Sequence, residues 1–227
     1  MLSLKTLYIC AMENPGYSSL KVAEYLLQIK AIKLNVNNPF TWASGMKSPI
    51  YCDNRKTLSY PTIRTFLRQE FISGIRNHFG EPDVIAGVAT GGIALGAVIA
   101  DHIGKPFIYV RSSVKGHGLQ NKIEGELQSG QSVVVIEDLI STGKSSLDAV
   151  KAIREAGGRV SGLAAIFTYG FDVSKQAFSD AECRYFTLTD YRTMLIQATN
   201  DRFIGEKDME TLDHWRTDPK NWGLNEN

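Results

Sequence analysis

From residue 83 onward the chain alternates short, unbroken apolar runs with amphipathic stretches, and this alternation constrains its fold more than any other feature. DVIAGV (83–88), PFIYV (106–110), VVVIED (133–138) and RVSGLAAIFTY (159–169) read as strands. GGIALGAVIADHIG (91–104) and SSLDAVKAIREAGG (145–158) read as helices between them. Strands that are apolar on both faces need cover on both faces, so the pattern predicts βαβ units around a parallel sheet. Upstream, SSLKVAEYLLQIKAIKL (18–34) carries Leu20, Ala23, Leu27, Ala31 and Leu34 at helical spacing behind a serine cap. FTWASGMKSPIYCD (40–53) suggests two short strands about a Ser-Gly turn. Pro61 opens a further helix that runs to Phe79. After about residue 190 the chain reads as helical and then ends in a polar tail, TDPKNWGLNEN. The expectation is an α/β fold, a central mainly parallel sheet flanked by helices with a small N-terminal hood. Residues 1–17 form an extension, 18–200 the main domain (hood about 18–60) and 201–227 a helical and polar tail.

Composition narrows the function classes. A chain of 227 residues buries one good core. Its formal net charge of +1 argues against a general nucleic-acid or membrane-surface binder, which would be strongly basic. Cys10, Cys52 and Cys183 form neither a zinc-type cluster nor an even disulfide framework, which fits reduced thiols and a cytoplasmic location. The apolar stretches are far shorter than the roughly 20 residues of a membrane helix. MLSLKTLYICA makes a poor signal peptide, and Met12 is an alternative start.

In open α/β sheets ligands bind beyond the carboxyl ends of the strands. That expectation gathers ATGG (89–92), RSSVKGHG (111–118) and EDLISTGKS (137–145) at one site. Where the third strand hands over to its helix, Ser141, Thr142, Gly143, Lys144 and Ser145 offer amides and hydroxyls to a phosphate. A nucleoside-triphosphate P-loop would need glycine five positions before Gly143, where Asp138 stands. Glu137 and Asp138 either cap and solvate a turn or hold the cis hydroxyls of a ribose and favour positive charge developing at its C1. The segment from Arg111 is either a solvated surface loop or a lid carrying Arg111, Lys115 and His117 onto an anion. Ser44, Gly45 and Lys47 belong either to a plain hairpin or to a cradle for a flat anionic base.

VVVIEDLISTGKSS (133–146) resembles the phosphoribosyl-pyrophosphate (PRPP) motif of type I phosphoribosyltransferases. RSSVKGHGLQNKIEGEL (111–127) is similar to the catalytic loop of orotate phosphoribosyltransferases, and FTWASGMKSPIYCDNR (40–55) resembles their base-binding segment. The resemblance, over roughly residues 18–200, implies transfer of phosphoribosyl from PRPP to orotate, giving orotidine 5′-monophosphate and pyrophosphate in pyrimidine biosynthesis. It implies that Glu137 and Asp138 hold the ribose and that 141–145 hold its 5′-phosphate. Thr90, Gly91, Arg111, Lys115 and His117 would hold pyrophosphate, with Arg111, Lys115, His117 and Asp138 catalytic. Ser44, Gly45, Lys47, Tyr51, Arg55 and Ser141 would hold orotate. Mg²⁺ would enter on PRPP with no direct protein ligand. A homodimer would share the loop 111–124 between subunits, with neither nucleic acid nor membrane as partner. The chain departs from some relatives at Ala43, Gly91 and Ser112, which stand where those relatives have lysine, and after Phe167, where they have arginine. Two rival readings are a phosphoribosyltransferase for another base, such as a purine, and a non-catalytic regulator on the same fold.

Overall fold

The computed structural model describes residues 15–42, 45–112 and 122–222. The N-terminal part comprises α1 (Tyr17–Gln28), β1 (Ile32–Leu34), β2 (Phe40–Thr41), β3 (Lys47–Ser48), β4 (Ile50–Cys52), a 3-10 helix (Asn54–Ser59) and α2 (Pro61–Phe79). It continues through β5 (Val84–Val88), α3 (Gly91–Ile103), β6 (Phe107–Val110), β7 (Ile123–Glu124), β8 (Ser132–Ile140) and α4 (Lys144–Glu155). Last come β9 (Arg159–Thr168), α5 (Asp172–Asp180), β10 (Tyr185–Asp190), α6 (Tyr191–Asn200) and α7 (Glu206–Thr217). Six strands form one sheet in the order β10-β9-β8-β5-β6-β7. Its pairings are parallel except that of β7 with β6. The α/β expectation holds.

The central strand shows why the sheet has helices on both sides. Val133, Val134, Val135 and Ile136 are all fully buried, and successive side chains of a strand point to opposite faces. Val134 and Ile136 join the core made with α1, α2 and α3, whereas Val133 and Val135 join the core made with α4 and α5. Burial of each such side chain is worth about 1.5–3 kcal/mol. Sheet order reverses beside β5: β6 lies on one side of it, while β8, β9 and β10 extend on the other. The crevice between β5 and β8 is therefore where a ligand is expected.

Three sequence expectations need correction. The first helix stops at Gln28 instead of reaching residue 34. Lys30 takes a left-handed φ of 55°. Its amide donates to the carbonyl of Leu27 and that of Ala31 to Leu26, the paired bonds of a Schellman stop. Residues 32–34 instead pair antiparallel with β4; Ala31 and Leu34 matched a helical period by coincidence. The 40–53 stretch forms three strands where two were expected: β2 pairs with β3, and β4 with β1. Between 170 and 190, where no element was expected, lie α5 and β10. At the C-terminal end, α7 buries Leu212 and Trp215 completely in the core shared with α1 and α2. Among the described residues no helix is long and apolar enough to cross a membrane.

Candidate active site

Glu137 and Asp138 fall where β8 meets the crevice, and strand alternation sends them to opposite sides. On the α4 side Glu137, only 4% exposed, accepts from the Ser146 hydroxyl at 3.3 Å and from the Ser145 hydroxyl at 3.5 Å. Asp138 faces α3, and the side chain of Asn54 donates to its carbonyl oxygen at 2.7 Å. The Asp138 amide donates to Glu137 Oε1 at 3.0 Å, so the two acids form one unit. Burial, then the neighbouring charge of Asp138, push the Glu137 carboxyl well above the ordinary range. Burial also lifts Asp138, opposed by its hydrogen bond to Glu137 and by the charge of Arg55. Such a pair gains from a cation, or from hydroxyl donors, arriving above it.

A helix begins on each side of this pair. No side chain caps α3 or α4 among the described residues, so the first amides of α3, at Gly91 and Gly92, and those of α4 have no side-chain acceptor. Gly143 enters α4 with a φ of 82° that an L side chain rarely adopts. Gly91 opens α3 so close to β8 that a Cβ there would stand 2.3 Å from the Asp138 carboxylate carbon. Only glycine permits this approach.

A cavity of about 280 Å³ occupies the crevice. Of the residues expected to form the site, Thr90, Gly91, Glu137, Asp138, Ser141, Ser145 and Arg55 line it. Arg55 is held by Asp53, Nε to Oδ1 at 2.7 Å. Thr142 is exposed and Gly143 buried behind the turn, both outside the lining. Lys144 also lies outside it, with its ammonium 2.7 Å from Asp148. Tyr51 packs on Phe40 with ring centres 5.8 Å apart, and Lys47 Nζ donates to Thr41 Oγ1 at 3.0 Å. The Gly45 amide closes its turn by donating to the carbonyl of Trp42. Arg111 pairs with Glu124 at 3.1 Å, and its amide donates to the carbonyl of Lys122. Ser44, Lys115 and His117 lie outside the described residues. Sequence reasoning assigned no role to Cys52 and Asp53 in the lining or to Asn54 behind it, and reached Ala89 and Leu139 only as members of the loops 89–92 and 137–145. The polar run Asp53-Asn54-Arg55 directly after an apolar strand was the available signal.

Two uncapped helix N-termini thus flank a buried acid pair at the head of the crevice. The description "Phosphoribosyl transferase domain" belongs to the family model that matches residues 64–198, more than half the chain. The chain belongs to the phosphoribosyltransferase family. Within that family it is 58% identical to an orotate phosphoribosyltransferase of Bacteroides fragilis, over 88% of this chain and 94% of the relative. A Porphyromonas gingivalis protein of the same name is 54% identical, over 89% and 97%. The crystal structure of orotate phosphoribosyltransferase from Aeropyrum pernix, 24% identical, matches with a TM-score of 0.71 over 81% of this chain and 99% of that one, and shows the same fold.

Proposed function

We infer that this protein is an orotate phosphoribosyltransferase, which converts orotate and PRPP to orotidine 5′-monophosphate and pyrophosphate. The observation that carries the reading is the pair of uncapped helix N-termini, α3 and α4, on either side of Glu137 and Asp138. The 5′-phosphate sits in the turn 141–145, where Ser141 and Ser145 face the cavity. The diphosphate sits at Thr90 and Gly91, and Arg111, Lys115 and His117 reach it from the loop 111–124. Glu137 and Asp138 hold the ribose hydroxyls between them and stabilise positive charge at C1 as the diphosphate leaves. Orotate's ring nitrogen attacks that carbon from the side of the hood, where Ser44, Gly45, Lys47, Tyr51, Arg55 and Ser141 hold the base, and its N–H proton passes to His117 as the C–N bond forms. Closure of the loop, shared with a second subunit in a homodimer, excludes water and limits hydrolysis.

Magnesium would arrive with PRPP and would supply charge neutralisation for the departing diphosphate. The residues present fit this. The raised carboxyls of Glu137 and Asp138 favour a cation arriving beside them. The high identity to named relatives selects orotate over a purine, and the intact acid pair and phosphate turn favour an enzyme over a non-catalytic regulator.

Loss of orotate absorbance on mixing the protein with orotate, PRPP and Mg²⁺ tests the proposal, with adenine, guanine, hypoxanthine and uracil run in parallel. Turnover with orotate alone, lost in Asp138→Asn, is expected. Turnover with a purine would overturn the base assignment, and tight PRPP binding without turnover would make the protein a regulator.

A further inference from the structure

The hairpin that carries the base-binding turn is too small to hold itself in place. β2 and β3 pair through only Phe40 with Ser48 and Thr41 with Lys47. An isolated hairpin of this size is at best marginal in water. Its fixed point is Trp42, the residue at which the turn starts. The Trp42 amide donates to the Met46 carbonyl at 2.9 Å, and its carbonyl accepts from Gly45 at 2.8 Å. Its indole N–H donates to the carbonyl of Ile50 at 3.0 Å, joining the hairpin to β4.

The ring of Trp42 rests on residues far along the chain. It lies edge-on to Trp215 of α7 at 5.8 Å and tilted to Tyr169, just beyond β9, at 5.4 Å. Trp215 is fully buried and also meets Tyr169, Phe171 and Tyr191, each at 5.7 Å. The Tyr191 hydroxyl donates to the carbonyl of Leu212 at 2.9 Å, which fixes α7 against α6. Among the described residues the Trp215 indole N–H has no hydrogen-bond partner, so its contribution is ring packing. Helix α7 lies wholly beyond residues 64–198, the part matched by the family model.

We propose that α7 is a strut for the base site: Trp215, through Trp42, is a positioning residue that holds Gly45 and Lys47 at the orientation needed to bind the base. The proposal rests on the base assignment above, and it gives the C-terminal segment a specific task. Because the sugar-phosphate groups stand on β5, β8, α3 and α4, loosening the strut affects one substrate and spares the other.

Steady-state kinetics on the full chain test this with Trp215→Ala and Trp215→Phe. Trp215→Ala is expected to raise the KM for orotate about tenfold, the scale of one lost oriented contact, with the KM for PRPP held within about twofold. Trp215→Phe keeps an aromatic ring in the cluster but loses the unpaired N–H together with part of the indole, so an orotate KM between those of wild type and Trp215→Ala is expected. Equal rises in both KM values, or an unchanged orotate KM in a folded Trp215→Ala protein, would overturn the proposal. Hydrogen exchange supplies a readout that needs no turnover. In Trp215→Ala the amides of Trp42 and Gly45 should exchange faster while those of residues 133–140 keep their protection; equal protection at Trp42 and Gly45 refutes the strut. A wild-type protein inert toward orotate refutes only the base assignment, and exchange then decides the strut by itself.

Discussion

Replacing Gly91 with alanine should separate catalysis from stability. On the present backbone the new Cβ would lie 2.3 Å from both Cγ and Oδ1 of Asp138 and 2.6 Å from Oδ2. Carbon atoms in contact sit about 3.5–4.0 Å apart, so one partner must retreat by at least roughly 1.2 Å. The backbone has little room to do so. A Cβ at Gly92, the next residue, would already lie 2.2 Å from the carbonyl oxygen of Ile136, which shows how tightly α3 is seated on β8. The Asp138 carboxylate is therefore the group that moves. A misplacement of about 1 Å at a reacting centre costs on the order of 100-fold, so kcat/KM for PRPP should fall by about that factor. Alanine is the better helix former by up to about 1 kcal/mol, so the melting temperature should hold or rise. Initial rates and thermal melts on the same preparation read both quantities. PRPP affinity by calorimetry in the Gly91→Ala/Asp138→Ala pair completes the cycle, since the alanine at 91 should cost nothing further once the carboxylate is gone. Activity within about threefold of wild type, or an undiminished penalty in the Asp138→Ala background, would refute the reasoning.

Protonation of the acid pair gives a pH dependence of definite sign. The folded carboxyls of Glu137 and Asp138 titrate above their unfolded values, so between the ordinary carboxylate range and the raised values the folded state binds more protons. That contribution to stability is present at the acid end of the window and is lost as pH rises through it; Glu137→Gln should flatten it in urea melts, and an unchanged slope would sink the assignment. Binding of magnesium and PRPP should then release protons within that window, measured by calorimetry in buffers of different ionisation enthalpy. Asn54→Ala strips the buried carbonyl of Asp138 of its donor, which should cost about 1–3 kcal/mol in urea melts and lower kcat as well. Lys144→Ala removes an exposed pair with Asp148 worth about 0.3–0.5 kcal/mol, so stability should barely change and kcat/KM should fall by less than about tenfold; a hundredfold loss would place its ammonium on the phosphate.

Legibility differed with the range of the signal. The strand through residues 133–138 was readable because four consecutive β-branched residues admit little else, and the acid pair and the polar turn followed at fixed offsets. Helix α2 was equally plain, with Pro61 at its start and Ile63, Leu67, Phe71 and Ile75 buried along one face. The stretch 29–34 misled because Ala31 and Leu34 continue the helical period of the residues before them, and the Schellman stop at Lys30 has no glycine to announce it. Helix α5 escaped because its nine residues bury only Ser174 and Phe178, too few for a periodic pattern.

What the chain settles locally is therefore its alternation of strands and helices, the family motif at 133–146, and the loops that must carry chemistry. Those properties depend on residues within a turn or two of one another, where period and composition act directly. The tertiary structure alone decided that Glu137 faces α4 while Asp138 faces α3, that Gly91 leaves room for a carboxylate, and that Asn54 reaches the Asp138 carbonyl. It alone decided that Trp215 supports Trp42. Each of the last three joins segments dozens of residues apart in sequence, brought together only when the sheet and its two cores have formed, and no local spacing records them.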